Sequence, residues 1–182
     1  MALIEPITKL DTYKQYMDGI GKIPSYHLKQ CFESGLPGAW LYMKAIGLED
    51  VYFEVLNKAK KKSSWFKELF YLLLISNSNN KFYPKVPDDL LKIEIPPAFL
   101  DAQVPLQEPD FQMVCAFTRD QLKETIVQCA LPNKMIRVGN YGKSVGVMYS
   151  DKVYCVYHAD NPSALEFKSI DSCVDAVMRA MK

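Results

Sequence analysis

Between Pro84 and Pro109 the chain carries six prolines, at 84, 87, 96, 97, 105 and 109. Each fixes φ near −65° and lacks a backbone N–H, so no regular helix can cross the segment. The chain is thereby divided into a helical stretch over 1–80, an extended connector over 81–110, and a mixed stretch over 111–182. The connector either wraps the surface or reaches a partner, and Phe82, Tyr83, Phe99 and Phe111 are shared between packing on the core and presenting a docking strand. At 182 residues the three parts fit one domain.

Periodicity assigns the elements. Ser34-Gly-Leu-Pro37 reads as a helix start with Pro37 in the first turn, where its missing N–H costs nothing, and Gly47 as the stop. Leu36, Trp40, Met43 and Ile46 then face inward. A second helix begins near Asp50 with Tyr52, Val55, Leu56 and Ala59 on its apolar face. It ends in Lys58, Lys60, Lys61 and Lys62, cations that suit a helix C-terminus and read as a solvated end. A third runs from Ser63 or Ser64 through Trp65, Leu69 and the apolar Phe70–Ile75, and stops at Ser76-Asn-Ser-Asn-Asn80. Thr118-Arg-Asp-Gln121 has capping-box spacing, with Leu122, Ile126 and Cys129 on one helical face behind it. Three strands follow, Met135–Val138, Ser144–Tyr149 and Val153–Tyr157, with turns at Gly139–Gly142 and Ser150–Lys152. Ser169 caps a last helix with Ile170, Cys173, Val174, Val177, Met178 and Met181 on one stripe. Helices and antiparallel strands are segregated, which predicts an α+β fold with a helical N-terminal half packed on a small antiparallel sheet and a C-terminal helix.

Charge and cysteine usage exclude several functions. Lys and Arg number 22 against 21 Asp and Glu, a balance that offers no broad field to nucleic acid or to anionic lipid. The longest apolar run is far shorter than the roughly 20 residues a bilayer span needs, so no membrane span is expected. Glu5 stands where a signal peptide carries positive charge, which argues against Sec-type export. Cys31, Cys115, Cys129, Cys155 and Cys173 are odd in number and form no CxxC pair, which points to reduced thiols in the cytoplasm. With two histidines they supply none of the usual zinc spacings, so no metal is expected. Gly142-Lys-Ser144 lacks the glycine of a phosphate loop, where Arg137 stands, and no cofactor is expected.

From Phe117 onward the order of elements resembles a known family. The helix begun by Phe117-Thr118, Met135-Ile-Arg-Val138, Ser144-Val-Gly-Val-Met-Tyr149, Val153-Tyr-Cys-Val-Tyr157, the Asp-Asn-Pro turn and Glu166-Phe-Lys-Ser169 resemble the C-terminal half of papain-like cysteine proteases of the YopT type. Bacterial effectors use that fold widely. Gly35-Leu36, Trp40-Leu41 and Gly47-Leu-Glu-Asp-Val-Tyr-Phe-Glu54 are similar to the family's nucleophile helix, with the cysteine position two residues before Gly-Leu. The resemblance covers most of residues 30–182 and implies a papain-like fold. It also implies delivery into a host cell without a Sec signal.

Carried over by position, the family's nucleophile falls at Glu33, its histidine at Ser144, and its third catalytic group at Asp160 or His158. A carboxylate is a poor acyl-transfer nucleophile and a serine accepts no proton near pH 7, so the pair cannot perform the chemistry. The expectation is a catalytically inactive effector that binds another protein, such as a host protein, through Trp40, Tyr141, Tyr149 and Tyr157, aromatics of the kind enriched at interfaces. A competing reading is an active hydrolase or deamidase with Cys31 as nucleophile and His158 as base. A third is an accessory or chaperone-like subunit of a secretion machine. Against the catalytic roles, Cys31 reads more readily as a small buried hydrophobe in a short helix after Pro24. His158 reads as a strand-end residue bonded to a turn.

Overall fold

The computed structural model describes residues 10–20, 25–77, 111–114, 118–130, 135–140 and 143–182; the proline-rich connector 81–110 and Tyr141 lie outside the described residues. The helical half consists of α1 (Asp11–Ile20), α2 (Ser25–Ala45), α3 (Glu49–Lys61) and α4 (Phe66–Asn77), the last entered through a 3-10 turn at Ser63–Trp65. Pro37 does not open a helix; it lies inside α2, which begins at Ser25. The proline removes one donor, to the carbonyl of residue 33, but fully buried Phe32, Leu36, Ala39 and Trp40 anchor the helix on both sides of the gap.

Gly47 ends α2 as its sequence suggests. It takes φ of 78°, its N–H reaches the Lys44 carbonyl at 3.1 Å, and the Leu48 N–H reaches the Met43 carbonyl at 2.7 Å. That pair of bonds is the Schellman closure, in which a left-handed glycine satisfies the last carbonyls. On α3, Tyr52, Val55, Leu56 and Ala59 are the buried positions, as their spacing requires.

The second half adds a five-stranded sheet in the order β1 (Phe111–Val114), β2 (Met135–Asn140), β3 (Lys143–Ser150), β4 (Val153–His158) and β5 (Leu165–Phe167). It also holds α5 (Arg119–Val127) and α6 (Ile170–Ala180). The fold is α+β. Strands β2 to β5 pair antiparallel, whereas β1 pairs parallel to β2, with α5 in the connection between them. An antiparallel sheet alone was expected of 111–182. The parallel edge arises because a helix-length crossover can return the chain alongside β2 in the same sense.

Of the expected caps, those at Thr118 and Ser169 form, whereas Ser63 and Ser64 lie inside a 3-10 turn that starts without a side-chain cap. Thr118 Oγ1 accepts from the Gln121 N–H, and Gln121 Oε1 accepts from the Thr118 N–H at 2.9 Å. Ser169 Oγ accepts from the Ser172 N–H.

Strand alternation gives the sheet two buried faces. Met135, Cys155 and Tyr157 join the core built by α1 to α4. Ile136, Val138, Val145, Val147 and Val156 join Leu122 and Ile126 of α5 and Cys173, Val174 and Val177 of α6 in a second core. The first core is aromatic: Phe32 lies 5.5 Å from Tyr13 and 5.6 Å from Phe66, and Trp40 and Tyr52 lie 5.5 and 5.6 Å from Tyr157. Gly146 of β3 permits the closest approach. A Cβ there would stand 2.9 Å from the Trp40 ring, 3.0 Å from Leu41 Cγ and 3.0 Å from the Pro37 carbonyl oxygen.

Outside the cores, Arg119 of α5 bridges Asp171 and Asp175 of α6 at 3.3 and 3.0 Å, and Lys123 meets Asp171 at 2.9 Å. These cations hold the exposed Asp171 carboxyl below its usual range, with Lys123 the largest influence.

Candidate functional site

Two of the three positions that the protease resemblance singles out, 144 and 158 to 160, lie together at one end of the sheet. Val145 of β3 is paired with His158 of β4, so residue 144 and residues 159 and 160 emerge side by side there. Ser144 shares the face of Gly146, the face that α2 covers, and is 1% exposed. Ala159 belongs to the same core. Position 33 lies four residues before Pro37 on α2, the segment laid against β3. Glutamate at 33 is thus carried by the helix that covers β3, and Ser144 by β3 itself.

His158 occupies the other face. Its cross-strand partner Val145 and its neighbour Val156 belong to the core under α5 and α6, whereas α2, which carries Cys31, packs on the face of Tyr157 and Gly146. Strand alternation therefore directs His158 away from the α2 side. Its Nδ1 accepts the Asp160 backbone N–H at 3.3 Å, and the Asp160 carboxylate lies 3.6 Å from the same nitrogen. An Nδ1 that accepts leaves the proton of the neutral ring on Nε2. This is the turn-bonded arrangement of a strand-end histidine.

Neither thiol position nor nucleophile position lies at a helix start. Cys31 is the seventh residue of α2 and Glu33 the ninth. The field of a helix N-terminus fades within its first turn, so α2 offers little of the thiolate stabilisation a cysteine protease relies on.

Of the aromatics expected on a binding surface, Trp40 and Tyr157 are fully buried, and that expectation is corrected for both. Their polar atoms are used internally. Trp40 Nε1 donates to Glu49 Oε1 at 2.7 Å, and the other carboxylate oxygen meets Lys44 Nζ at 2.7 Å, clasping the end of α2 to the start of α3. Burial would lower the Lys44 pKa, but its bond to Glu49 raises it overall. The Tyr52 hydroxyl lies 3.1 Å from the Leu36 carbonyl and 3.2 Å from the Tyr157 hydroxyl. A carbonyl only accepts, so Tyr52 gives its single proton to Leu36 and accepts from Tyr157. Tyr149 is half-buried, its ring 4.9 Å from that of Tyr154.

Two charged residues near this region escaped sequence reasoning. Arg137 is 2% exposed on β2, directly opposite Gly146. The signal was present in Met135-Ile-Arg-Val138, where an arginine interrupts an apolar strand. Lys60 of α3 is half-buried, and burial lowers its pKa despite the nearby Asp160 carboxylate. It was concealed within a run of lysines that read as a solvated helix end.

Cys155 and Cys173 are buried free thiols, and burial raises the pKa of both, that of Cys173 to about 12. Among the described residues no three of His, Cys, Asp and Glu converge as metal ligands, and no helix is long and apolar enough to cross a membrane. No protein-family model matches the chain, and neither a curated protein nor a solved structure matches it.

Proposed function

We propose that the chain is a catalytically inactive papain-like domain that acts by binding another protein, in the manner of effectors delivered by bacterial secretion systems. The observation that carries the reading is the register of β3 and β4. It pairs Val145 with His158 and so brings residue 144 beside residue 159, which is compatible with the side-by-side placement that the resemblance implies, while the residue at 144 is a serine. With glutamate at 33, the place of a thiolate and imidazole pair is taken by groups that can neither attack a carbonyl as a thiolate does nor accept a proton near pH 7. A domain that keeps the layout without the chemistry retains its shape and surface as the means of acting.

The competing hydrolase reading requires the thiol of Cys31 and the ring of His158 to meet. The placement of His158 on the face away from α2 favours the inactive reading.

Reinstalling the missing groups tests the layout. In Glu33→Cys with Ser144→His, the new thiol should be alkylated by iodoacetamide at pH 6 at least about tenfold faster than in Glu33→Cys alone, because imidazole pairing favours the thiolate. Circular dichroism establishes that both variants are folded, and Glu33→Cys with Ser144→Gln controls for side-chain size. Equal rates in folded variants would contradict the papain-like arrangement.

A further inference from the structure

The α3–α4 junction concentrates positive charge around an exposed hydroxyl. Lys58, Lys60, Lys61, Lys62 and Lys67 fall within ten residues, in a chain whose net charge is only +1. Lys58 is engaged, ion-paired with Glu54 and lying 4.4 Å from the centre of the Trp65 ring. Lys61, Lys62 and Lys67 are exposed, and among the described residues none of them forms an ion pair. Ser64 stands among them, exposed, in the three-residue 3-10 turn Ser63–Trp65. Ser63, beside it, is half-buried.

We propose that Ser64 is a phosphorylation site for a protein kinase that selects basic residues ahead of its acceptor serine. Three features support the assignment. Lys61 and Lys62 stand three and two residues before Ser64, where exposed cations can meet carboxylates of a kinase groove. Trp65 follows immediately, half-buried against the first core, and anchors the end of the turn beside the exposed hydroxyl. The turn that holds the hydroxyl is a short 3-10 segment with no side-chain cap, the kind of element that opens most readily to enter an active site.

In the reaction the Ser64 oxygen attacks the γ-phosphorus of a nucleoside triphosphate. The oxygen–phosphorus bond forms as the bond to the leaving diphosphate breaks, and the hydroxyl proton passes to the kinase's base. The product gains about −1.5 to −2 charges at neutral pH, which offsets much of the lysine cluster and changes what this surface attracts.

The test uses the full chain, a purified basophilic serine kinase and magnesium ATP, with the modified residue located by tandem mass spectrometry. The expected result is a single phosphoryl group on Ser64, lost in Ser64→Ala and retained in Ser63→Ala. In Lys61→Ala with Lys62→Ala, kcat/KM should fall at least about tenfold. Both lysines are exposed, so the loss reports recognition, and circular dichroism confirms the fold. Absence of label, label on Ser63, or a rate indifferent to the two lysines would overturn the assignment.

Discussion

The Tyr52 and Tyr157 hydroxyls form a short chain of bonds ending on the Leu36 carbonyl, entirely inside the first core. The two are not equivalent. Tyr157→Phe removes only the outer donor and leaves Tyr52 bonded to Leu36, a loss of about 1 kcal/mol. Tyr52→Phe strands the buried Tyr157 hydroxyl as well, and its cost should be greater by about 1–3 kcal/mol. Urea denaturation of the two variants, with similar m-values, should give midpoints in that order.

Burial raises the pKa values of Tyr52, Tyr157, Tyr16 and Cys173, those of Tyr16 and Cys173 to about 12. Each ionises in the unfolded chain before it ionises in the folded one. The stability they contribute is therefore full below the ordinary values of 9.0 for the thiol and 10.0 for the phenols, and declines as pH rises beyond them. An ultraviolet titration should show a group of tyrosines that ionise together with loss of the near-ultraviolet circular dichroism. Smooth ionisation near pH 10 in a chain that stays folded would contradict the burial.

Among the elements, the contact of α2 with β3 depends on the missing side chain at 146. Gly146→Ala places a methyl within 2.9 to 3.0 Å of the Trp40 ring, Leu41 and a helix carbonyl. Backbone cannot yield as a long side chain can, so α2 must shift, at a cost of about 1–3 kcal/mol measurable by chemical denaturation. The hairpin between β3 and β4 contains the opposite case. Ser150 pairs with Val153, and the two loop residues, Asp151 and Lys152, have φ of 52° and 67°. Tight hairpins favour such a turn, but lysine suits the left-handed region poorly and glycine suits it well. Lys152→Gly should relieve about 1–2 kcal/mol of strain. Against that stands about 0.5–1 kcal/mol of added chain entropy, leaving a net gain of up to about 1.5 kcal/mol, read as a higher denaturation midpoint.

The elements legible in the sequence were those written by local chemistry. The Thr118–Gln121 capping box, the Gly47 stop and the apolar stripes of α3 and α6 each arise from contacts a few residues apart. Pro37 misled because its local preference for a first turn was outweighed by the burial of Phe32, Leu36 and Trp40 on both sides of it. Strands β1 and β5 were missed because they are short, 4 and 3 residues, and exist by pairing with distant partners.

For the whole molecule, the sheet separates two chemistries. One face meets α2 and holds Ser144, Gly146 and Tyr157, while the other meets α5 and α6 and takes His158. That positions 33 and 144 carry glutamate and serine, where the protease resemblance implies a cysteine and a histidine, was legible from the sequence, since residue identity needs no coordinates. The separation of His158 from α2 was not, because the face of a strand end depends on register, and a slip of one residue reverses it. The burial of Trp40 and Tyr157 was likewise hidden, because aromatic composition suits a core and an interface equally.

The proposed function requires a domain without hydrolytic chemistry. Site-resolved alkylation of the native chain by an epoxysuccinyl cysteine-protease reagent, followed by mass spectrometry, tests it most directly. Cys31 should react no faster than an ordinary thiol, and His158→Ala should leave its rate unchanged. Selective modification of Cys31, at least about a hundredfold faster than the other thiols and abolished by His158→Ala, would contradict it.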